Sequence, residues 1–163
     1  MGKSFAEYSQ EAFEKKTIRN FMHNNMTLNI VDHPSTRWHA NETLLPVPVI
    51  EYWRDEPIPY GSPPATLVLT ISKRSAQPYD KPTSEILRGD LTITGKKHLL
   101  CPWGAYKFRL NNVYFIEKAV DSSWTIHAGV YERGEKMGEV EMLPIEVWDV
   151  EQPVQQRIDF KRQ

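Results

Sequence analysis

Cysteine is nearly absent from this sequence: Cys101 is the single one among 163 residues. A lone cysteine excludes an internal disulfide bond and any zinc site built from several cysteines.

Long apolar runs are missing as well. None approaches the roughly 18 residues that span a membrane, and the N-terminus has no apolar signal-peptide core. We therefore expect a cytoplasmic protein, or one carried in a virion, with no membrane partner.

An excess of charge of either sign is also missing. Twenty basic and 21 acidic residues give a net charge of -1 at pH 7, so no global field attracts the chain to nucleic acid. Lys107 and Arg109 alternate with Tyr106 and Phe108. In a strand these rings would face away from the cations. A nucleic-acid surface needs cations and stacking rings together, and nucleic acid is therefore not an expected partner.

Glycine-rich phosphate loops and a serine nucleophile elbow are not found. The eight glycines are scattered, and neither the P-loop pattern nor the dinucleotide-binding pattern occurs. His98 precedes Cys101 by three residues, a spacing that puts the two side chains on opposite faces of a strand. We expect no catalytic residue and no cofactor, although the sequence leaves the question of enzymatic activity open.

The five histidines are not spaced like the ligands of a metal site. His33 and His39 lie six residues apart, which is about 20 Å in an extended chain. Only a turn at Pro34-Ser35 could bring them together, with His98 or His127 as a third ligand. Solvated or singly hydrogen-bonded histidines explain the pattern equally well, and we predict no structural metal.

The N-terminal residues do contain the signal of a helix. Ser4 and Glu7 form a capping box, which predicts an α-helix from about Phe5 to His23. Phe13 and Phe21 lie off its main apolar face. Either the helix packs on a sheet, or it is an arm over 4–23 that also contacts another subunit through these two rings.

Beyond the helix the apolar period is two residues, which is typical of strands with one buried face. The period covers 26–31, 67–72, 91–93, 106–110, 113–120, 124–131 and 137–150, with turn residues between. Pro144 must lie at an edge or a bulge because it has no N–H for a ladder. We predict a mainly β single domain over 1–163, with its β-rich core at 65–150. The fold is an antiparallel β-sandwich or small β-barrel with one N-terminal α-helix.

A segment rich in proline and aromatic residues interrupts this pattern at 44–64. It holds six of the 12 prolines, so at most Val49–Arg54 could form a short edge strand. It is either a rigid surface crossover or a preorganised contact surface with at least one exposed ring. Together with the two rings of the helix, the predicted partner-binding residues are Phe13, Phe21, Tyr52, Trp53 and Tyr60.

Residues 95–111 resemble part of a known family. Gly95, Pro102-Trp103-Gly104 and Asn111 are similar to the second conserved motif of the cupins. Lys107 stands where that motif has a metal-binding histidine, the first gap is one residue longer, and the companion His-x-His motif is absent upstream. The resemblance implies a β-barrel at most, without the family's metal ligands. A bend between two strands explains the same residues.

Together these patterns favour a non-catalytic protein-interaction or assembly module. Its partner would be a second copy of the chain or another protein subunit, in a homo-oligomer or a larger, viral-type assembly. One alternative is a small-ligand-binding β-barrel with weak enzymatic activity, whose pocket the five tryptophans could line. The other is an inhibitor or immunity protein that blocks one specific partner.

Overall fold

The computed structural model describes residues 20–22, 26–73 and 78–149, and this part of the chain is mainly β. Residues 1–19, which hold Phe13 and most of the predicted N-terminal helix, lie outside it. The helical residues that are described form two short 3-10 turns, Thr83–Glu85 and Glu117–Ala119. The strands are β1 (Asn20–Met22), β2 (Thr27–Asp32), β3 (Arg37–His39), β4 (Val49–Trp53), β5 (Thr66–Lys73), β6 (Leu87–Gly89), β7 (Thr92–Thr94), β8 (Lys96–Lys97), β9 (Ala105–Arg109), β10 (Val113–Phe115), β11 (Ser122–Glu132), β12 (Glu135–Glu141) and β13 (Ile145–Trp148).

Strand β11 is the centre of the largest sheet, which has seven strands. One edge of β11 pairs with β5, and the other edge pairs first with β13 and then with β12. Strands β1, β3 and β7 extend the sheet, and only the pair of β13 with β3 is parallel among the described strands. The strand region predicted over 137–150 is two strands, β12 and β13, and Pro144 lies in the connection 142–144 between them rather than at an edge or a bulge of one strand.

The prediction that the N-terminal helix extends to His23 is wrong. Asn20–Met22 forms strand β1, which pairs antiparallel with Val140 to Gly138 of β12. The outer edge of β12 offers these residues a ladder of hydrogen bonds, and such tertiary pairing overrides a local helix preference. Phe21 therefore lies on an edge strand, and its side chain is outside what the structure describes.

A second sheet has four strands in the order β2-β4-β9-β8, all antiparallel. The prediction of an edge strand at Val49–Arg54 is wrong, because β4 lies between β2 and β9. Pro48 and Pro57 stand outside the strand, so every residue of β4 keeps its N–H for pairing. Strands β6 and β10 form a separate pair.

The two large sheets meet at Gly95, where β7 of the first continues into β8 of the second. A Cβ atom on Gly95 would come within 2.9 Å of the Phe108 ring, so the corner requires glycine. The sheets curl around one core and form a half-barrel. Its fully buried side chains include Ile50, Leu67 and Ile126. The predicted inward face of the strand at 124–131 is confirmed by the burial of its alternate apolar residues.

Candidate functional site

Exposed apolar side chains are concentrated on two neighbouring loops. Loop 98–104 joins β8 to β9 and carries Leu99, Leu100 and Trp103, whose exposed fractions are 93%, 80% and 51%. Crossover 54–64 follows β4 and carries the fully exposed Tyr60. The N–H of Ile58 in the crossover donates to the carbonyl of Trp103 at 2.6 Å, so the loops lie side by side. We call Tyr60, Leu99, Leu100 and Trp103 the apolar face; a cluster of this kind marks an interaction site more often than scattered apolar residues do.

The base of loop 98–104 is a nearly buried polar cluster. Oε2 of Glu51 on β4 accepts a hydrogen bond from Nε2 of His98 at 2.8 Å. Its other oxygen accepts from Nε1 of Trp53 at 3.1 Å. Nδ1 of His98 accepts from the N–H of Leu100 at 3.0 Å. The loop is therefore tied to a central strand from below, while its apolar side chains stay in solvent.

Cys101 belongs to this loop, but its side chain is buried rather than exposed to solvent. It is buried in a small cluster with Trp53 and Ala105. Burial raises the pKa of the Cys101 thiol, and a backbone hydrogen bond from Gly104 opposes this only in part. The thiolate is the reactive form of cysteine, so this environment does not prepare Cys101 as a nucleophile.

A second buried polar cluster holds the base of crossover 54–64. Nε of Arg54 lies 3.1 Å from a carboxylate oxygen of Glu132 at the end of β11. Nη1 of Arg54 donates to the carbonyls of Glu56 and Pro57 in the crossover. The hydroxyl of Tyr52 also donates to Glu132. Burial and the neighbouring Glu132 carboxylate raise the pKa of Tyr52, which keeps its hydroxyl protonated as a donor.

The structure separates the predicted partner-binding residues. Tyr52 and Trp53 are 1% and 8% exposed, so neither ring is presented to solvent in the isolated chain, and their role in partner binding stays a prediction. Both lie on the central strand β4, Tyr52 in the core and Trp53 under loop 98–104. Tyr60 is exposed, which confirms that at least one ring of the segment faces solvent. Phe13 lies outside the described residues, as does the side chain of Phe21.

Leu99, Leu100 and Trp103 were not predicted as contact residues. The available signal is the stretch Leu99-Leu-Cys-Pro-Trp-Gly104, where apolar residues accumulate beside a Pro-x-Gly turn instead of alternating as in a strand. A turn between antiparallel strands projects from the sheet. Large apolar residues in such a turn are therefore candidates for exposed contact residues unless another part of the chain covers them.

A serine, a histidine and a glutamate line up on the outer face of the largest sheet. Oγ of Ser72 lies 2.8 Å from Nε2 of His127, and Nδ1 of His127 lies 3.5 Å from Glu139. This order matches a nucleophile, a base and an orienting acid. Ser72 is only 1% exposed, however, so a substrate carbonyl could not reach its hydroxyl in this conformation. The hydrogen bond from His127, aided by Lys136, lowers the pKa of Glu139 to about 2, and the cluster links three neighbouring strands.

The histidines considered as metal ligands have other partners. Nδ1 of His33 donates to the carbonyl of Pro34, and its Nε2 accepts from the N–H of Leu143 at 2.8 Å. Nε2 of His39 contacts Glu42. Within the described ranges, no three histidine, cysteine, aspartate or glutamate side chains are grouped so that they could hold a metal ion.

In the part of the chain that the structure describes, there is no helix with the length and apolar character needed to cross a membrane. The likeness of residues 95–111 to cupins stays a resemblance in a few turn residues, because the family comparison does not extend it. Neither a protein-family model nor a curated protein sequence matches this chain.

Proposed function

We propose that this protein is a non-catalytic assembly module that associates with a second copy of itself through the apolar face. The observation that carries the proposal is the placement of Tyr60, Leu99, Leu100 and Trp103 in solvent on two adjacent loops. Covering such side chains removes apolar area from water, at about 25 cal/mol per Å².

The buried polar clusters beneath the loops support this proposal. Glu51 and His98 fix loop 98–104, and Arg54 with Glu132 fixes crossover 54–64. Loops that are already ordered lose little conformational entropy on binding. The polar residues therefore prepare the apolar face for association without taking part in the contact.

A second copy suits this surface better than a charged partner does. The four residues of the apolar face carry no charge, and a net charge of -1 gives little repulsion between copies. An apolar patch can pair with itself across a two-fold axis. A larger assembly, including a viral-type one, needs a further contact, for which Phe13 and Phe21, the other two predicted contact residues, are the candidates. A cytoplasmic or virion location belongs to the same proposal.

Sedimentation velocity over a wide range of protein concentration tests the proposal. The wild type is expected to form dimers or larger species that dissociate on dilution. The double variant Leu100→Ser/Trp103→Ser should weaken self-association by about 30-fold or more, since truncating central contact residues typically costs about 2 kcal/mol. The matched control is Leu143→Ser, because Leu143 is similarly exposed but lies between β12 and β13.

Two results would contradict the proposal. The first is a wild type that stays monomeric at every concentration, which would favour the inhibitor or immunity alternative with a different partner. The second is an equal loss of association in the control variant Leu143→Ser. Thermal unfolding of each variant, followed by circular dichroism, verifies that the substitutions leave the fold intact.

A further inference from the structure

A basic groove lies at the corner where the two large sheets meet. It has a volume of about 440 Å³ and lies between β7 and β9, beside β8. Among the described residues that line it, the cationic side chains come from β8 and β9, and the carboxylate is that of Asp90. The four cations are Lys96, Lys97, Lys107 and Arg109. No tryptophan lines this groove, so it is not the aromatic pocket that the small-ligand alternative requires.

Two of these cations repel each other across the sheet. Lys96 and Lys107 are directly opposite each other in the antiparallel pair of β8 and β9, and like charges in that position destabilise a sheet. Glu51 lies opposite Lys107 on the other side, but its carboxylate is bonded to His98 and Trp53. Among the residues that the structure describes, none of the four groove cations forms a salt bridge.

The rest of the lining indicates which anion would fit. Ile93 and Leu99 give the groove an apolar part, and Thr92 and Thr94 contribute hydroxyl groups. No aromatic ring is found among the described residues that line the groove, because Tyr106 and Phe108 of β9 alternate with the cations and are buried in the core. Single-stranded nucleic acids rely on such rings for base stacking. A polypeptide that alternates carboxylates with apolar side chains matches both parts of the groove.

We propose that this groove binds an extended acidic segment of a partner protein. Its carboxylates pair with Lys96, Lys107 and Arg109, and an apolar side chain packs on Ile93 and Leu99. The ligand then removes the repulsion between the two opposed lysines. The inference goes beyond self-association through the apolar face: it concerns a different surface and a different partner, although Leu99 borders both.

Fluorescence anisotropy with labelled synthetic peptides tests this inference on the full chain. The probe alternates glutamate and leucine, and the matched peptide has glutamine in place of each glutamate. The glutamate peptide is expected to bind at least about tenfold more tightly, with an affinity that falls as salt is added. An oligodeoxythymidylate of similar length tests nucleic acid as the ligand.

The variant Lys96→Glu tests the role of the groove cations directly. It should weaken binding of the glutamate peptide by about tenfold or more, while the fold stays intact because the variant replaces a like-charge pair with an opposite-charge pair. Lys81→Glu makes the same charge change at an exposed site outside the groove and should leave binding unchanged.

Three outcomes would overturn the inference. They are equal binding of the glutamine peptide, unchanged binding by Lys96→Glu, and tighter binding of the oligonucleotide than of the peptide. Because Leu99 borders both surfaces, peptide binding is measured on the variant Leu100→Ser/Trp103→Ser as well as on the wild type, so that failure of groove binding and failure of self-association are distinguishable. A variant at Trp103 that loses self-association should still bind the glutamate peptide.

Discussion

Glu51 accepts a hydrogen bond from Nε2 of His98 at 2.8 Å although both side chains are nearly buried. A buried carboxylate is costly unless its oxygens are satisfied. Here Trp53 satisfies the second oxygen. Through this pair, a residue in the middle of a central strand holds the loop that carries Leu99, Leu100 and Trp103.

Glu51→Ala should lower the free energy of unfolding by about 2–3 kcal/mol, because Nε2–H of His98 would lose its acceptor while it is nearly buried. Urea denaturation followed by circular dichroism measures the effect. Glu42→Ala is the control, since Glu42 contacts His39 at an exposed position and a surface pair is worth at most about 1 kcal/mol. Equal losses in the two variants would show that the Glu51 cluster does not hold the loop.

Asn29→Leu should raise the free energy of unfolding by about 1 kcal/mol or more. Asn29 is completely buried on β2, and neither atom of its side-chain amide has a hydrogen-bond partner within the described part of the chain. Leucine has nearly the same shape and removes the unsatisfied polar group. The measurement is again urea denaturation, with Asn111→Leu as the control because Asn111 is exposed in a turn. A destabilised Asn29→Leu variant would mean that the amide is satisfied in solution.

Glu139 should make stability depend on pH in the acid range. Its pKa is lowered from 4.5 to about 2 by the hydrogen bond with His127. A carboxylate whose pKa is lower in the folded state than in the unfolded state stabilises the fold at pH values above the unfolded-state pKa. This stabilisation is lost as the pH falls through the folded-state pKa. Glu139→Gln should therefore cost about 1–2 kcal/mol at pH 7 after allowance for solvent screening.

The difference between wild type and Glu139→Gln should shrink as the pH falls from 4.5 towards 2. Urea denaturation at a series of pH values gives this curve. Glu141→Gln should have a smaller effect, because Glu141 is more exposed and lies 4.0 Å from Nδ1 of His127. A Glu139→Gln effect that is constant across the acid range would remove His127 as its cause.

The strands with a clear period of two could be predicted because one face of each is buried by the core. Trp124 to Val130 is the strongest example. Strand β1 could not be predicted, since its partner Val140 is distant in sequence and leaves no local signal. The flanking prolines of β4 were misleading because they limit only the ends of the strand.

For the candidate site, the sequence predicted that a ring of the Pro-rich segment is exposed, but not which one. Tyr52 and Trp53 are adjacent, and only the position of β4 between two other strands shows that both are covered. The polar pairs under the loops join residues far apart in the chain: Glu51 and His98 are separated by 47 positions, and Arg54 and Glu132 by 78. Such pairs depend on the register of the sheets, which local patterns do not determine.

Trp53 and Trp103 should respond in opposite ways to truncation. Trp53 is buried against Cys101 and Ala105, and its ring centre lies 5.1 Å from that of His98. Trp53→Ala should therefore lower the free energy of unfolding by about 3 kcal/mol or more, as for other buried aromatic residues. Trp103→Ala should change the free energy of unfolding by less than about 1 kcal/mol, because half of Trp103 is already in solvent. This variant should nevertheless weaken self-association.

Urea denaturation and sedimentation velocity on the same samples separate the two effects. A Trp53→Ala variant that keeps full stability but loses association would instead place Trp53 in the interface, where the sequence alone suggested it.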